Sequence, residues 1–175
     1  MYTKIFAFLT LFACITLSLA QNATGTNGIG SSPADRHYIT AAQAQTIITA
    51  AATNATAINI PQNIAVVDPS GLLVAFLRMD NAYPGSIDIS TKKARTAVLF
   101  NGLTSAGLYE SSQPGQALYG IEETNGGLVV FGGGVPVYID GFLIGGVGVS
   151  GGTVMQDVEV ATAGVLGVGA STSLS

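Results

Sequence analysis

Two pairs of β-branched and apolar runs, each pair closed by a tight turn, constrain this chain more than any other feature. Asn63–Val67 and Leu72–Met79 flank Asp68-Pro69-Ser70-Gly71, and Val135–Ile139 and Phe142–Val149 flank Asp140-Gly141. Pro fixes φ, Asp and Ser offer side-chain acceptors, and Gly supplies the left-handed conformation that such turns need. Asp-Gly between two strands is a two-residue hairpin signal. Hairpins make antiparallel neighbours, so the sheet is antiparallel. Leu128–Phe131 reads as a further strand, which brings the expected number to five.

Helices bracket these strands. Thr40-Ala-Ala-Gln43 is a capping-box pattern, and Ala44, Ile47, Ile48, Ala51, Ala55 and Ile58 then recur at helical spacing until Pro61. Ser86 caps a second expected helix that runs to about Phe100. Thr104–Gly120 reads as irregular, with one or two short helical turns. Thr153-Val-Met-Gln156 repeats the capping box and opens a closing helix, with Val154, Val158, Ala161 and Val165 on one face and Asp157 and Glu159 suited to the dipole of its first turns. The expected class is α/β of the α+β kind, an antiparallel sheet flanked by helices.

Met1–Lys4, Ile5–Leu17 and Ser18-Leu19-Ala20 read as the basic, apolar and small-residue parts of a secretory signal over residues 1–20, with an apolar run too short to span a bilayer. The expected location is therefore extracellular, with no membrane contact after removal of the signal. Cys14, the single cysteine, leaves with that segment, so the mature chain forms no disulfide and relies on its core. Lys4 leaves too, and five basic residues then face ten acidic ones, which gives no basic patch for nucleic acid. Only 9% of residues are charged, which points to apolar surface covered by self-association into a homo-oligomer. Residues 21–38 are poor in anything to bury and are expected to be disordered, with the folded domain over 39–169 and a tail over 170–175. Asn22 and Asn54 begin Asn-x-Thr sequons.

Several residues stand out as candidates for chemistry. Projected at 100° per residue, Ile87, Thr91, Ala94 and Val98 form the expected core face of the second helix. Lys93 falls in a stripe with Ser86, Ile89, Ala97 and Phe100, where an ammonium must snorkel, find a partner or lose its proton. It suits an anion or carbonyl contact at a pocket or subunit seam, or a salt bridge with Asp80 as partner. Arg78 and Asp80 share a face at the end of a strand and could converge on a ligand carboxylate. Gly132, Gly133 and Gly134 could present backbone N–H groups as an anion nest, or serve a wide turn. Gly151-Gly152-Thr153 leads into a helix N-terminus, where a carboxylate or phosphate could dock, or serves as a tight strand–helix turn. His37 is the only histidine, so a His-rich metal cluster is excluded.

Four stretches in this order resemble the GlcG/HbpS family, also met as the C-terminal domain of PduO: Ile64-Ala-Val-Val-Asp-Pro-Ser-Gly71, Phe76-Leu-Arg-Met-Asp80, Gly126-Gly-Leu-Val-Val-Phe-Gly-Gly-Gly-Val-Pro136 and Gly145-Gly-Val-Gly-Val-Ser-Gly-Gly-Thr153. The likeness covers about residues 39–168. It implies a five-stranded antiparallel sheet flanked by helices, similar to profilin and Roadblock domains. Ser86, Lys93, Ala94, Thr96 and Ala97 match the family's second helix, which makes Ser86 a ligand-binding candidate with Arg78, Asp80 and the three glycines. Tyr119-Gly-Ile-Glu122, preceded by Pro114-Gly115, resembles another family segment and brings Tyr119 and Glu122 forward as candidates to line one cavity with Lys93. Some relatives bind haem and form rings. The resemblance therefore implies a secreted, oligomeric binder of a small molecule, with haem or another tetrapyrrole as leading ligand and His37 as candidate iron ligand. A cofactor-independent isomerase, hydratase or cyclase acting on a carbonyl compound through Lys93, Glu122 and Tyr119 is a second reading. A self-assembling extracellular structural protein is a third.

Overall fold

A computed structural model describes residues 37–174. The segments expected as signal peptide and disordered linker, with Asn22, therefore lie almost wholly outside the described residues. The element order is α1 (Ala41–Ala57), β1 (Asn63–Val67), β2 (Leu73–Arg78), α2 (Ser86–Leu99), a 3-10 turn (Ser105–Leu108) leading into α3 (Tyr109–Ser112), a second 3-10 turn (Ile121–Glu123), β3 (Gly134–Ile139), β4 (Phe142–Ser150) and α4 (Val154–Gly167). The strands form one antiparallel sheet in the order β2-β1-β4-β3. On one face α1 packs against α4, and both cover a core that includes Ile47, Ile64, Val66, Val137, Val147, Val149, Val160 and Val165. On the other face α2 lies over β1, β3 and β4.

Local chemistry sets most of these boundaries. Thr40 and Gln43, and likewise Thr153 and Gln156, exchange the reciprocal bonds of a capping box at the starts of α1 and α4. Asp68 accepts from the N–H groups of Ser70 and Leu72 and so closes the first hairpin. Asp140 and Gly141 both have positive φ, 51° and 79°, as a two-residue hairpin turn requires. The last described segment, expected as a tail, adds an antiparallel bridge between Ser171 and Tyr138 on the outer edge of β3.

The sheet has four strands among the described residues, not five. Leu128, Val129 and Val130 are buried, but their backbone is not in a ladder. Val129 N–H donates to Thr96 Oγ1 on α2, and Leu128 N–H donates to the Glu122 carbonyl. Burial and hydrogen bonding are satisfied by packing on α2, and Gly133, at φ 117°, turns the chain before β3 begins. Apolar character alone does not distinguish such a segment from a strand.

The core face of α2 also differs from expectation. Ala94 and Val98 are buried as expected, but Ile87 is exposed and Thr91 half-buried, while Ser86, Ser90, Lys93, Thr96 and Ala97 are buried as well. The reason lies in the strands beneath. Gly134 pairs with Gly148, and Pro136 with Gly146. A Cβ on Gly146 would stand 2.8 Å from the Ala94 carbonyl, one on Gly148 would meet the Ser90 carbonyl, and one on Gly134 the Lys93 carbonyl. These glycines let the α2 backbone sit almost directly on the sheet, so the helix turns its small side chains inward. Ser86 is accordingly not a cap; it is the first helical residue, and its hydroxyl accepts a 3.2 Å bond from that of Ser150.

Gly148→Ala should therefore lift α2 and cost on the order of 3 kcal/mol, the upper part of the overpacking range. Gly85→Ala, where φ is −63° and an added Cβ meets nothing within 4 Å, should stay within about 0.5 kcal/mol. Urea denaturation of the two variants checks the pair.

Candidate functional site

Lys93 is fully buried. From the middle of α2 its side chain reaches past Gly133 to the other helical layer, where Nζ donates to Asp157 Oδ2 at 2.7 Å and to the Val149 carbonyl at 3.0 Å. The Phe131 ring stands 4.8 Å from Nζ, within cation–π range. Asp157 is buried in the first turn of α4, and its other oxygen accepts from the Gly152 N–H at 2.9 Å. The partner expected from sequence, Asp80, is exposed at the end of β2 and makes no ion pair among the described residues. The carboxylate that docks at the Gly151-Gly152-Thr153 turn is thus the chain's own.

Burial pushes the Lys93 ammonium below the 10.5 of an ordinary lysine, and the hydrogen bond and charge of Asp157 offset part of that fall. Gly133 is what makes the passage. A Cβ there would lie 2.6 Å from the Val149 carbonyl and 2.7 Å from Lys93 Nζ. The three glycines form no open anion nest, because all are buried; Gly134 N–H donates to Ser105 Oγ, and the Gly133 carbonyl accepts from Val149 N–H. An amine sealed in this way cannot touch a substrate without rearrangement. Its geometry is that of a clamp between layers.

The remaining candidates do not gather around it. Tyr119 is 69% exposed on the loop before the second 3-10 turn, and Glu122 is half-buried with its carbonyl, not its carboxylate, engaged. Neither bonds Lys93, so the acid–base set of Lys93, Glu122 and Tyr119 is not assembled. Arg78 and Asp80 are exposed, and Ser86 is buried at the start of α2. His37 stacks on Phe142 with ring centroids 3.8 Å apart and 26° between planes. It stands at a recess of about 240 Å³ beside the β3–β4 turn, lined also by Tyr38, Gln43, Asp140 and Ile144. Among the described residues no group of three or more His, Cys, Asp or Glu is placed to hold a metal ion, and no helix is long and apolar enough to cross a membrane. Asn54 falls on α1 and is half-buried.

Sequence reasoning missed Asp157 as a site residue, although a signal was present. Val160, Ala161 and Gly164 lie three, four and seven positions after it, which puts it on the buried face of α4. Phe131 and Phe142 carried no such signal.

Residues 39–166 match the family model described as haem degrading protein HbpS-like. The chain belongs to the HbpS-like family. An uncharacterized 15.0 kDa protein from the dhaT-dhaS intergenic region of Citrobacter freundii is 45% identical over 120 residues, 68% of this chain and 84% of that protein. Corrinoid adenosyltransferase PduO of Salmonella typhimurium is 39% identical over 124 residues, 70% of this chain but 37% of PduO. The crystal structure of a PduOC:haem complex superposes with a TM-score of 0.73 at 34% identity, covering 78% of this chain and 99% of that one. Haem fits the His37 recess in part. An imidazole on an aromatic wall suits an iron-bearing macrocycle, but the volume is below the ~300–1,000 Å³ of a cleft that engulfs a ligand, so the recess suits one edge of the macrocycle.

Removing one partner of the buried pair leaves the other charge uncompensated, so Lys93→Met should cost about 3–5 kcal/mol, and Lys93→Met with Asp157→Leu should recover most of it. The lowered Lys93 pKa makes stability depend on pH. The unfolded chain holds this proton more tightly than the folded one, so the stability this group contributes rises as pH climbs from its folded value towards 10.5. Denaturant titrations across that window should show the parent gaining on the double variant; a gap independent of pH contradicts it.

Proposed function

We propose that this protein is an exported, self-associating binder of haem or a related tetrapyrrole, with His37 as iron ligand and the Phe142 side of the recess against the macrocycle edge. What supports the reading is membership of the HbpS-like family, together with the likeness to a chain solved with haem over 99% of that chain's length. Bound haem would supply an iron centre; the chain would supply the imidazole, the aromatic wall and the neighbouring Tyr38 and Asp140 at the rim.

Self-association has a physical motive in α1. Its 17 residues include no charge, and the hydroxyls of Thr46, Thr49, Thr53 and Thr56 each donate to the carbonyl four residues back. That arrangement turns methyl groups outward on a face with little left to hydrate. Export rests on the signal-like residues 1–20 alone. The carbonyl-chemistry alternative loses its support, since its lysine is sealed and its three residues are not in contact.

Haemin added to the purified protein should give a shifted, saturable Soret band, weakened about tenfold or more by His37→Ala, which corresponds to about 1.4 kcal/mol of lost ligation. Light scattering on the same samples should report more than one chain per particle. A Soret band identical to that of free haemin at micromolar protein sinks the reading.

A further inference from the structure

β2 is an edge of the sheet that no other strand covers among the described residues. In the order β2-β1-β4-β3 the opposite edge strand, β3, is bridged at Tyr138 by Ser171. The Met79 N–H donates to the Gln62 carbonyl, so by the alternation of an antiparallel pair Ala75 and Leu77 also turn their backbone groups towards β1. The N–H and C=O groups of Phe76 and Arg78 then point outward, where no other segment among the described residues meets them. The usual guards of an edge are missing. Residues 73–77 hold no charge and no proline, and the one register shift, opposite Val66 and Val67, leaves residues 75–78 regular.

The helical face beside this edge is equally bare. α1 lies over both β1 and β2. An open groove of about 460 Å³ runs between α1 and the edge, with walls that include Ile48, Thr49, Ala52, Thr53, Thr56 and Leu77, none of them charged. Leu72 and Leu73 stand exposed at the hairpin end of the same edge. An occupant of this face must bring a strand edge and an uncharged helix together. Residues 21–36 offer neither. They contain one large apolar residue, Ile29, and the chain enters the described fold at β4, where the Ile39 N–H donates to the Ile144 carbonyl, with β1 between it and β2. A second copy brings both. A two-fold axis normal to the sheet makes neighbouring β2 strands antiparallel and leaves both α1 helices on one face. With strands ~4.8 Å apart and α1 astride β1 and β2, the two α1 axes then stand roughly 9–10 Å apart, the spacing of ordinarily packed helices.

We propose that two copies of this chain pair β2 against β2 about such an axis, joining their sheets into one and seating the two α1 helices side by side. This pairing rests on the self-association proposed above and gives it a surface and a symmetry. The register in which every outward group of Phe76 and Arg78 bonds sets Phe76 opposite the partner's Arg78, and Leu77 opposite the partner's Leu77. Each Phe76–Arg78 pair exchanges two backbone bonds, and on that face of the sheet the guanidinium and the ring become cross-strand neighbours. On the other face the two Leu77 side chains meet beneath the helices.

The test uses the full chain with Cys14→Ser, which removes the single native thiol. Light scattering at micromolar protein should report an even number of chains per particle. Leu77→Cys in this background should form a disulfide-linked dimer on mild oxidation, because Cα atoms of a directly opposed, non-hydrogen-bonded pair stand ~4.5 Å apart, within disulfide reach. Leu73→Cys, at a more exposed position but roughly 25 Å from its own copy in this register, should link about tenfold more slowly. Arg78→Pro, which removes an outward N–H and no bond to β1, should lower the particle mass to half or less with the circular dichroism of the parent. The pairing is overturned if Leu73→Cys links as fast as Leu77→Cys, or if Arg78→Pro keeps the parental mass. It is also overturned by a monomeric parent, including one whose Phe76 and Arg78 amides are protected from exchange by residues 21–36. A monomer removes self-association as well, whereas an oligomer without the Leu77 link removes this pairing alone, and the Soret measurement stands apart from both.

Discussion

One buried ammonium connects layers of this fold that lie on opposite faces of the sheet. Lys93 leaves α2, passes the backbone of Gly133 and ends on a carboxylate of α4 and a carbonyl of β4. The arrangement holds only if α2 lies close enough to the strands, which the glycines of β3 and β4 allow, and if Asp157 is itself fixed, which the Gly152 N–H does. Such a pair adds little over a well-packed apolar substitute, yet breaking it is expensive. Set against the 5–15 kcal/mol of a typical domain, a loss of that size explains why lysine, glycine and aspartate form one unit.

Much of the architecture was legible from short-range chemistry. Both capping boxes, both hairpin turns and the antiparallel sheet follow from a few residues whose side chains act on their own backbone. What was not legible depended on contacts across long sequence separations. Leu128–Phe131 has strand composition, but its hydrogen bonds go to Thr96 and Glu122. The face of α2 was assigned correctly at Ala94 and Val98 but wrongly at Ile87 and Thr91, since the glycine floor draws in Ser90 and Ala97 instead. Lys93 was marked as a lysine in an apolar stripe that must snorkel, pair or lose its proton, and the structure shows it buried and paired. Its partner lies 64 residues away in sequence, and Asp157 was read only as suited to the helix dipole.

The site residues divide in the same manner. Those chosen for chemical type, Lys93, Tyr119 and Glu122, are scattered between core and solvent. Those at sheet ends have neighbours that make chemical sense. His37 and Phe142 stand where β4 begins, and Ser150 with Asn63 and Ser86 where it ends, separated by about 25 Å of strand. β4 thereby carries one aromatic and one polar end, with the Lys93 clamp just inside the latter.

The claim that this clamp couples the two helical layers is tested most directly by native-state amide hydrogen exchange on Asp157→Asn. Loss of the carboxylate charge should lower protection together in α2 around Lys93, at Val149 and in the first turns of α4, because one contact holds all three. Protection lost only in the first turn of α4, with α2 exchanging as in the parent, would contradict the account.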